Sequence, residues 1–311
     1  MDDVTFSRGP ARRPMPRVAD PLLQWATGLQ TNDRRLYAGW LAEVGRSPSL
    51  DDAMQEAGFN QVTIKHGSGN MVTHWAVETA NLYVIAEGVQ TIAEMQRSAD
   101  RYGIAFGWRT QQGGRQQSQI RFRALLSELT EIGYTEPLLV TAKGTLTGDV
   151  IIALMRQYEV LDAVDAFRQA QGKPPMQPPF YACAIPLGPG ADVTRGQGGQ
   201  TKEITPVVAK IPDVITREYV LDHWIKKPLV PIIEDIMDTT IAWSVATSTQ
   251  IAAGEEAHNN APVEEEASMA PAPASAAAPR QSAPAAPPQR GPAYTANGAS
   301  GRRRSADDDL L

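Results

Sequence analysis

The amino-acid composition changes at Gly254, and this change limits which part of the chain can fold. Residues 1–254 contain all six tryptophans of the 311-residue chain, with 24 Lys and Arg against 27 Asp and Glu. Residues 255–311 contain 5 Arg, 8 acids, long Ala, Pro, Ser and Gln runs and few large apolar side chains. Such a segment cannot bury enough apolar surface to offset its loss of conformational entropy. We therefore expect a basic flexible arm at 1–19, a folded core at 20–254 and a disordered tail at 255–311.

Hydrophobic periodicity predicts both helices and strands in the core. Capping residues and helical spacing predict a helix beginning at Asp20 and Pro21, a second over 33–44 and a third over 49–58. A period of two predicts hairpins over 61–78 and 104–123. The other predicted elements are strands 82–86, 137–142, 180–187 and 203–211 and helices 91–102, 124–133, 147–169, 216–225 and 232–245. This order favours the α+β class, with an antiparallel curved sheet or a partly open, OB-like barrel flanked by helices.

The second hairpin carries a concentration of positive charge. Between Arg97 and Arg123 there are six arginines and one acid, Asp100, although the formal net charge of the chain is -6. Strand alternation places Arg109, Arg121 and Arg123 on one face. Like charges close together across a strand pair destabilise a sheet by up to about 1 kcal/mol. The pattern therefore predicts an anion over this face.

The neighbours of these arginines suggest which anion it is. Ala105 and Gly107 share the arginine side and leave room for a nucleic-acid backbone. Phe106 and Trp108 alternate to the other side, where we expect them to pack inward. If they or Tyr102 prove exposed, they predict stacking positions for the bases of a single strand. The alternative is a solvated basic face that binds nothing.

Three further cations extend the predicted surface. Arg115 lies in the loop of the basic hairpin, Lys65 ends a strand of the first hairpin, and Arg195 lies in the glycine-rich loop 188–200. That loop is either a flap over a bound strand or a crossover without a binding role. The predicted DNA-binding residues are Lys65, Tyr102, Phe106, Trp108, Arg109, Arg115, Arg121, Arg123 and Arg195.

No arrangement of residues predicts catalysis. Residues 143–149 follow a strand and open a helix, but they lack the Gly-Lys-Ser/Thr triplet of a phosphate-binding loop. The single cysteine, Cys183, has no disulfide partner in the chain, and the four histidines lack metal-ligand spacing. We therefore predict a protein that is not an enzyme and needs no cofactor. The lone cysteine, the absence of a secretory signal and the absence of an apolar span predict a cytoplasmic protein without a membrane segment.

The chain ends in three acids and two leucines after a low-complexity linker. These residues are Asp307, Asp308, Asp309, Leu310 and Leu311. An anionic and apolar tip on a tether fits a partner with a basic-rimmed hydrophobic pocket. This tail resembles that of bacterial single-stranded DNA-binding proteins, in which a Gly/Pro/Gln-rich linker ends in an acidic tip with a hydrophobic end. The resemblance implies single-stranded DNA binding by the core and recruitment of replication, recombination or repair proteins by the tip.

The sequence thus favours a non-catalytic single-stranded DNA-binding protein, as a monomer or a homo-oligomer, whose tail recruits DNA-processing proteins. The alternative is an adaptor or assembly protein that binds protein partners through its acidic tail without binding nucleic acid. In that case the basic hairpin packs against another subunit.

Overall fold

The computed structural model describes residues 20–31, 36–65, 69–110, 116–195 and 202–253, so the predicted arm and tail lie outside the described residues. The strands are β1 Leu22–Gln30, β2 Leu36–Glu43, β3 Asn60–Lys65, β4 Met71–Val77, β5 Ala80–Val84, β6 Ile104–Thr110, β7 Gln116–Leu126, β8 Leu138–Lys143, β9 Ile185–Pro189, β10 Val193–Arg195, β11 Lys202–Ile204 and β12 Val207–Ala209. The helices are α1 Pro48–Glu56, α2 Ile92–Arg97, α3 Ser127–Glu131, α4 Thr145–Met155, α5 Gln157–Ala170, α6 Arg217–His223 and α7 Val230–Ala253.

Ten of these strands form one sheet in the order β12-β9-β5-β7-β8-β1-β2-β4-β3, and β6 also pairs with β7. Since β8 occupies one edge of β7, β5 and β6 share the other edge. Among the described pairs of this sheet, β1 and β8 alone are parallel. The α+β class and both predicted hairpins are confirmed. The sheet is mixed rather than antiparallel, and it does not close into a barrel.

The first two predicted helices are in fact strands. β1 and β2 pair antiparallel, with Trp25 opposite Trp40. Trp40 is buried in the main core, whereas its neighbour Leu41 packs on the other face of the sheet with Ala26 and Ile64. A strand that is buried on both faces carries apolar residues at successive positions. The apolar residues of β2 therefore resemble the apolar stripe of a helix.

The main core lies on one face of the sheet, under α1, α4 and α5. Its largest buried side chains include Phe122 and Met54. Two buried indoles connect the beginning of the chain to its later part. Trp25 Nε1 donates to the carbonyl oxygen of Thr205 at 3.0 Å, and Trp40 Nε1 donates to that of Leu187 at 2.8 Å.

Helix α7 packs on the opposite face. Its residues Ile233 and Met237 form a second cluster with Tyr83, Ile85 and Leu125 of the sheet. The basic hairpin is therefore sandwiched between the main core and α7. Among the described helices, none combines the length and the apolar character that a membrane span requires.

Candidate nucleic-acid interface

The basic hairpin consists of β6 and β7, and their register determines which side chains share a face. Ala105 lies opposite Arg121, and Arg109 lies opposite Gln117. Side chains two positions apart on a strand point to the same side. We call the side that carries Ala105, Gly107, Arg109, Gln117, Gln119, Arg121 and Arg123 the arginine face.

The centre of the arginine face is buried. Arg121 is only 5% exposed. With the side-chain amide of Gln119 turned to accept, its oxygen lies 2.9 Å from Nε and 3.0 Å from Nη2 of Arg121. On the adjacent strand Thr141, which pairs with Arg121, is buried as well. The structure therefore places Arg121 in the interior and away from solvent.

Arg123 is held by three partners. Its Nε donates to Asp20 Oδ2 at 2.7 Å, and each side chain of this ion pair is 21% exposed. The guanidinium lies 5.0 Å from the ring centre of Trp243, as in a cation–π contact. Nη1 lies 3.5 Å from the hydroxyl of Thr240. Because Trp243 and Thr240 belong to α7, Arg123 links the sheet to this helix.

The C-terminal half of α7 covers the arginine face and the outer edge of β6. Ser248 Oγ accepts hydrogen bonds from the backbone N–H of Phe106 at 3.0 Å and from Nε of Arg101 at 3.2 Å. A Cβ atom on Gly107 would lie 2.8 Å from Cγ2 of Ile251. We expected open space for an anion above Gly107. That expectation is wrong because Ile251 fills the space.

The three aromatic candidates lie in different environments. Phe106 is buried in the core, as expected. Trp108 is 37% exposed and packs edge-on against Phe106 with 6.2 Å between ring centres, so the expected inward packing of Trp108 is wrong. Tyr102 is also exposed, in the turn before β6. The extended part of β6 from Ile104 to Trp108, about 13 Å long, lies between this turn and Trp108. The structure does not bring the two exposed rings together.

Tyr102 has a positive φ of 49° and lines a cleft of about 610 Å³. Glu87, Glu94, Arg97 and Tyr158 contribute to the walls of this cleft. Two carboxylates against one guanidinium disfavour a phosphate there. The charge around Tyr102 therefore does not favour a nucleic-acid backbone in this cleft.

At its loop end, the hairpin is hydrogen-bonded to the turn that precedes α4. Gly144 N–H donates to the carbonyl oxygen of Ser118 at 2.7 Å, and Ser118 Oγ donates to the carbonyl oxygen of Gly144 at 2.9 Å. A Cβ on Gly144 would lie 3.4 Å from Nε2 of Gln117. These contacts hold Lys143 next to β7, where it pairs with Gln119.

Arg195 of β10 reaches the same turn. Its guanidinium forms a two-pronged ion pair with Asp149 at 2.7 and 2.8 Å, and Nη1 lies 3.3 Å from the carbonyl oxygen of Thr145. Asp149 therefore offsets the charge of Arg195. The hairpin-end cluster consists of Trp108, Arg109, Gln117, Lys143 and Arg195.

The other predicted site residues do not join this cluster in the described structure. Lys65 ends β3 at the far edge of the sheet, with β4, β2, β1 and β8 between it and β7. Arg115 and the tip residues 307–311 lie outside the described residues.

Two features bear on metal and thiol chemistry in the described residues. No group of three or more His, Cys, Asp or Glu within them is placed to hold a metal ion. Cys183 is buried, and burial raises the pKa of its thiol to about 12. The thiolate that would act as a nucleophile is therefore scarce at neutral pH.

Sequence reasoning missed the contacts that hold α7 on the arginine face. One signal was present, because four hydroxyl residues recur at helical spacing along one side of α7, and the structure buries that side. They are Thr240, Ser244, Thr247 and Ser248. The hydroxyls of Ser244 and Ser248 donate to carbonyl oxygens within α7. The hydroxyl oxygens of Ser248 and Thr240 also lie within hydrogen-bond distance of Arg101 and Arg123.

Comparison with protein-family models, with curated proteins and with solved structures gave no match for this chain. Its function is therefore inferred from its own sequence and geometry.

Proposed function

We propose that this chain is a non-catalytic protein that binds single-stranded DNA and recruits DNA-processing proteins through its C-terminal tip. The first contact surface is the hairpin-end cluster. The observation that carries the proposal is an exposed indole, Trp108, directly followed by Arg109 in the most basic segment of an acidic chain.

An exposed ring beside cations favours a single strand over a duplex. A base that stacks on an aromatic side chain contributes about 1–3 kcal/mol, and an unpaired base is the one able to do so. Trp108 and Arg109 are successive residues of a strand and point to opposite sides of the hairpin. A DNA strand that crosses the loop end of the hairpin would therefore place a base on one side and a phosphate on the other.

The contribution of Trp108 is tested by anisotropy of a fluorescently labelled oligothymidine with the full chain. Trp108→Ala should weaken binding by about 5- to 150-fold, because the loss of one stacked base costs about 1–3 kcal/mol. Met71→Ala removes another exposed apolar side chain, on β4, and should leave the affinity unchanged. Equal affinity for Trp108→Ala and wild type, or no binding by wild type at low salt, would refute the proposal.

The phosphate contact is tested by salt dependence. Each neutralised phosphate contributes about 0.7 to the slope of log K against log salt for a single strand. Lys143→Gln should reduce that slope by about 0.7. Lys65→Gln removes a lysine at the far edge of the sheet and serves as the matched control. Equal slopes for Lys143→Gln and wild type would exclude Lys143 from the contact.

The role of the tip is tested with a chain that ends at Ala306. It should bind oligothymidine as tightly as the full chain or more tightly. It should fail to retain replication and repair proteins on a single-stranded DNA column, where the full chain retains them. Equal retention by the two chains would contradict recruitment through the tip.

A second candidate is an adaptor or assembly protein, and one observation favours it. Arg101 and Arg123 already hold the hydroxyls of a helix, as arginines do in a protein–protein contact. Under this hypothesis the basic hairpin joins subunits. Light scattering after gel filtration would then show that Arg109→Gln dissociates an oligomer, in a protein that binds no oligothymidine at any salt concentration.

A further inference from the structure

We propose that the C-terminal half of α7, residues 240–253, is a displaceable cover and that the sugar-phosphate backbone of single-stranded DNA replaces it on the arginine face. This inference rests on the proposed function, because it assigns a second, covered contact surface to the same ligand. Arg121 and Arg123 belong to that surface.

The two halves of α7 are held by different chemistry. The N-terminal half buries Ile233 and Met237 in an apolar cluster with residues of β5 and β7. The residues that the C-terminal half buries are mainly hydroxyl-bearing, and Ile251 is its large apolar exception. Apolar burial contributes about 25 cal/mol per Å², whereas a hydrogen bond that water can replace contributes about 0.5–1.5 kcal/mol net. The C-terminal half should therefore open at a lower free-energy cost than the N-terminal half.

The arginines beneath this half have acceptors that a phosphate can replace. Arg101 meets the hydroxyl of Ser248 at 3.2 Å, and Arg123 lies 3.5 Å from the hydroxyl of Thr240. Both of these acceptors on α7 are neutral and both contacts are long, whereas the ion pair of Arg123 with Asp20 lies outside α7 and does not depend on the helix. A phosphate oxygen accepts from a guanidinium at about 2.7–2.9 Å in a charge-assisted bond roughly twice as strong. A phosphate in place of the two hydroxyls would therefore bind these arginines more strongly than α7 does.

The cover ends beside the hairpin-end cluster. Ile251, two residues before the end of α7, lies against Gly107, and the next residue of β6 is the exposed Trp108. A DNA strand that stacks on Trp108 and crosses to the other side of the hairpin at Arg109 would meet the C-terminal end of α7 first. Displacement can thus proceed from that end towards Thr240 without disturbing the apolar cluster around Ile233.

A reversible cross-link between β6 and α7 tests this inference in the full chain. A Cβ on Gly107 would lie 3.0 Å from the Cβ of Ile251, within about 1 Å of the separation that a disulfide needs. In the double variant Gly107→Cys with Ile251→Cys, the second change also removes the Cγ2 atom that a side chain at position 107 would strike. Cys183 is buried and its thiol pKa is raised to about 12, so it should not compete in the reaction.

The double variant should bind oligothymidine at least tenfold more weakly when oxidised than when reduced. The two single-cysteine variants, carried through the same redox treatment, should show no difference. If the oxidised and reduced double variant bind equally well, the cover is not displaced and this inference is overturned, while the proposed function stands. If wild type and every variant fail to bind at low salt, the proposed function falls and this inference falls with it.

Hydrogen exchange gives a readout that does not depend on engineered cysteines. A ligand that merely docks on a folded surface slows exchange, whereas a ligand that displaces α7 should speed the exchange of amides 244–253 in wild type. Ser248→Ala removes the acceptor for Phe106 N–H and Arg101 and should tighten binding of oligothymidine several-fold. Slower exchange over 244–253 on DNA binding, or weaker binding by Ser248→Ala, would contradict displacement.

Discussion

Replacing Gly107 by alanine should disrupt the packing of α7 against β6 and lower the unfolding free energy. The new Cβ would lie 2.8 Å from Cγ2 and 3.0 Å from Cβ of Ile251, and 3.2 Å from the carbonyl oxygen of Ser248. Real Cβ atoms do not approach neighbours so closely, so either the helix or the strand must move. Overpacking of this kind costs about 1–3 kcal/mol of unfolding free energy.

The origin of that cost is measured by a double-mutant cycle. Ile251 is 2% exposed, and Ile251→Ala alone should cost about 2–4 kcal/mol. In the double variant the Cγ2 atom that the new methyl group would meet at 2.8 Å is gone, so its closest contact is relieved. Its cost should therefore be smaller than the sum of the two single costs by about 1–2 kcal/mol. Urea unfolding of the four proteins, followed by circular dichroism, gives all the required values.

A second glycine provides the matched control. A Cβ on Gly148, inside α4, would meet no atom within 4 Å. Gly148→Ala should therefore stabilise the protein by about 0.5–1 kcal/mol through helix propensity. If the costs of Gly107→Ala and Ile251→Ala add to within about 0.5 kcal/mol, the two residues do not press on each other and the described position of α7 is refuted.

Two further changes test the electrostatics by the same urea method. Arg123→Gln should lower the unfolding free energy by about 1–3 kcal/mol because Asp20 loses its partner. The control Arg46→Gln changes a side chain that is 52% exposed and should lower it by less than about 0.5 kcal/mol. Equal losses would contradict the burial of the Arg123 pair. Burial raises the pKa of the Glu128 carboxyl above its ordinary 4.5, so the folded state binds a proton there more tightly than the unfolded state does. Proton binding to Glu128 therefore stabilises the fold at low pH, and this stabilisation is lost as pH rises through the raised pKa. In Glu128→Gln the unfolding free energy should no longer show this fall with pH, and a pH dependence equal to that of wild type would contradict the role of Glu128.

The two hairpins, β3 with β4 and β6 with β7, were predicted correctly from a period of two and from the glycine-containing turn between their strands. β6 and β7 are covered on both faces, but the side under α7 carries polar residues such as Gln119 and Arg121, so the period of two remains visible in the sequence. β1 and β2 were predicted as helices because both their faces are buried, so their apolar residues lie at successive positions. Helices α4 and α5 were predicted as one helix over 147–169. The break at Arg156 involves neither proline nor glycine and leaves no local signal in the sequence.

The arginine face shows the same limit for the candidate site. Strand alternation correctly placed Arg109, Arg121 and Arg123 on one side of the hairpin. It could not show that α7, which begins more than a hundred residues after β7, lies over that side. The predicted end of the last helix at residue 245 also hid the contact of Ser248 and Ile251 with β6, since α7 continues to Ala253.

The parallel pairing of β1 with β8 has a consequence for the order in which the chain can fold during synthesis. The hairpins around β2, β3 and β4 need only the first 77 residues, but the outer edge of β1 stays unpaired until residues 138–143 have been made. The indole hydrogen bonds of Trp25 and Trp40 form later still, because their acceptors lie at positions 205 and 187. Contacts between such distant segments slow folding, and an unpaired strand edge can meet another nascent chain in the meantime. The N-terminal strands are therefore the part of this protein that most needs protection on the ribosome.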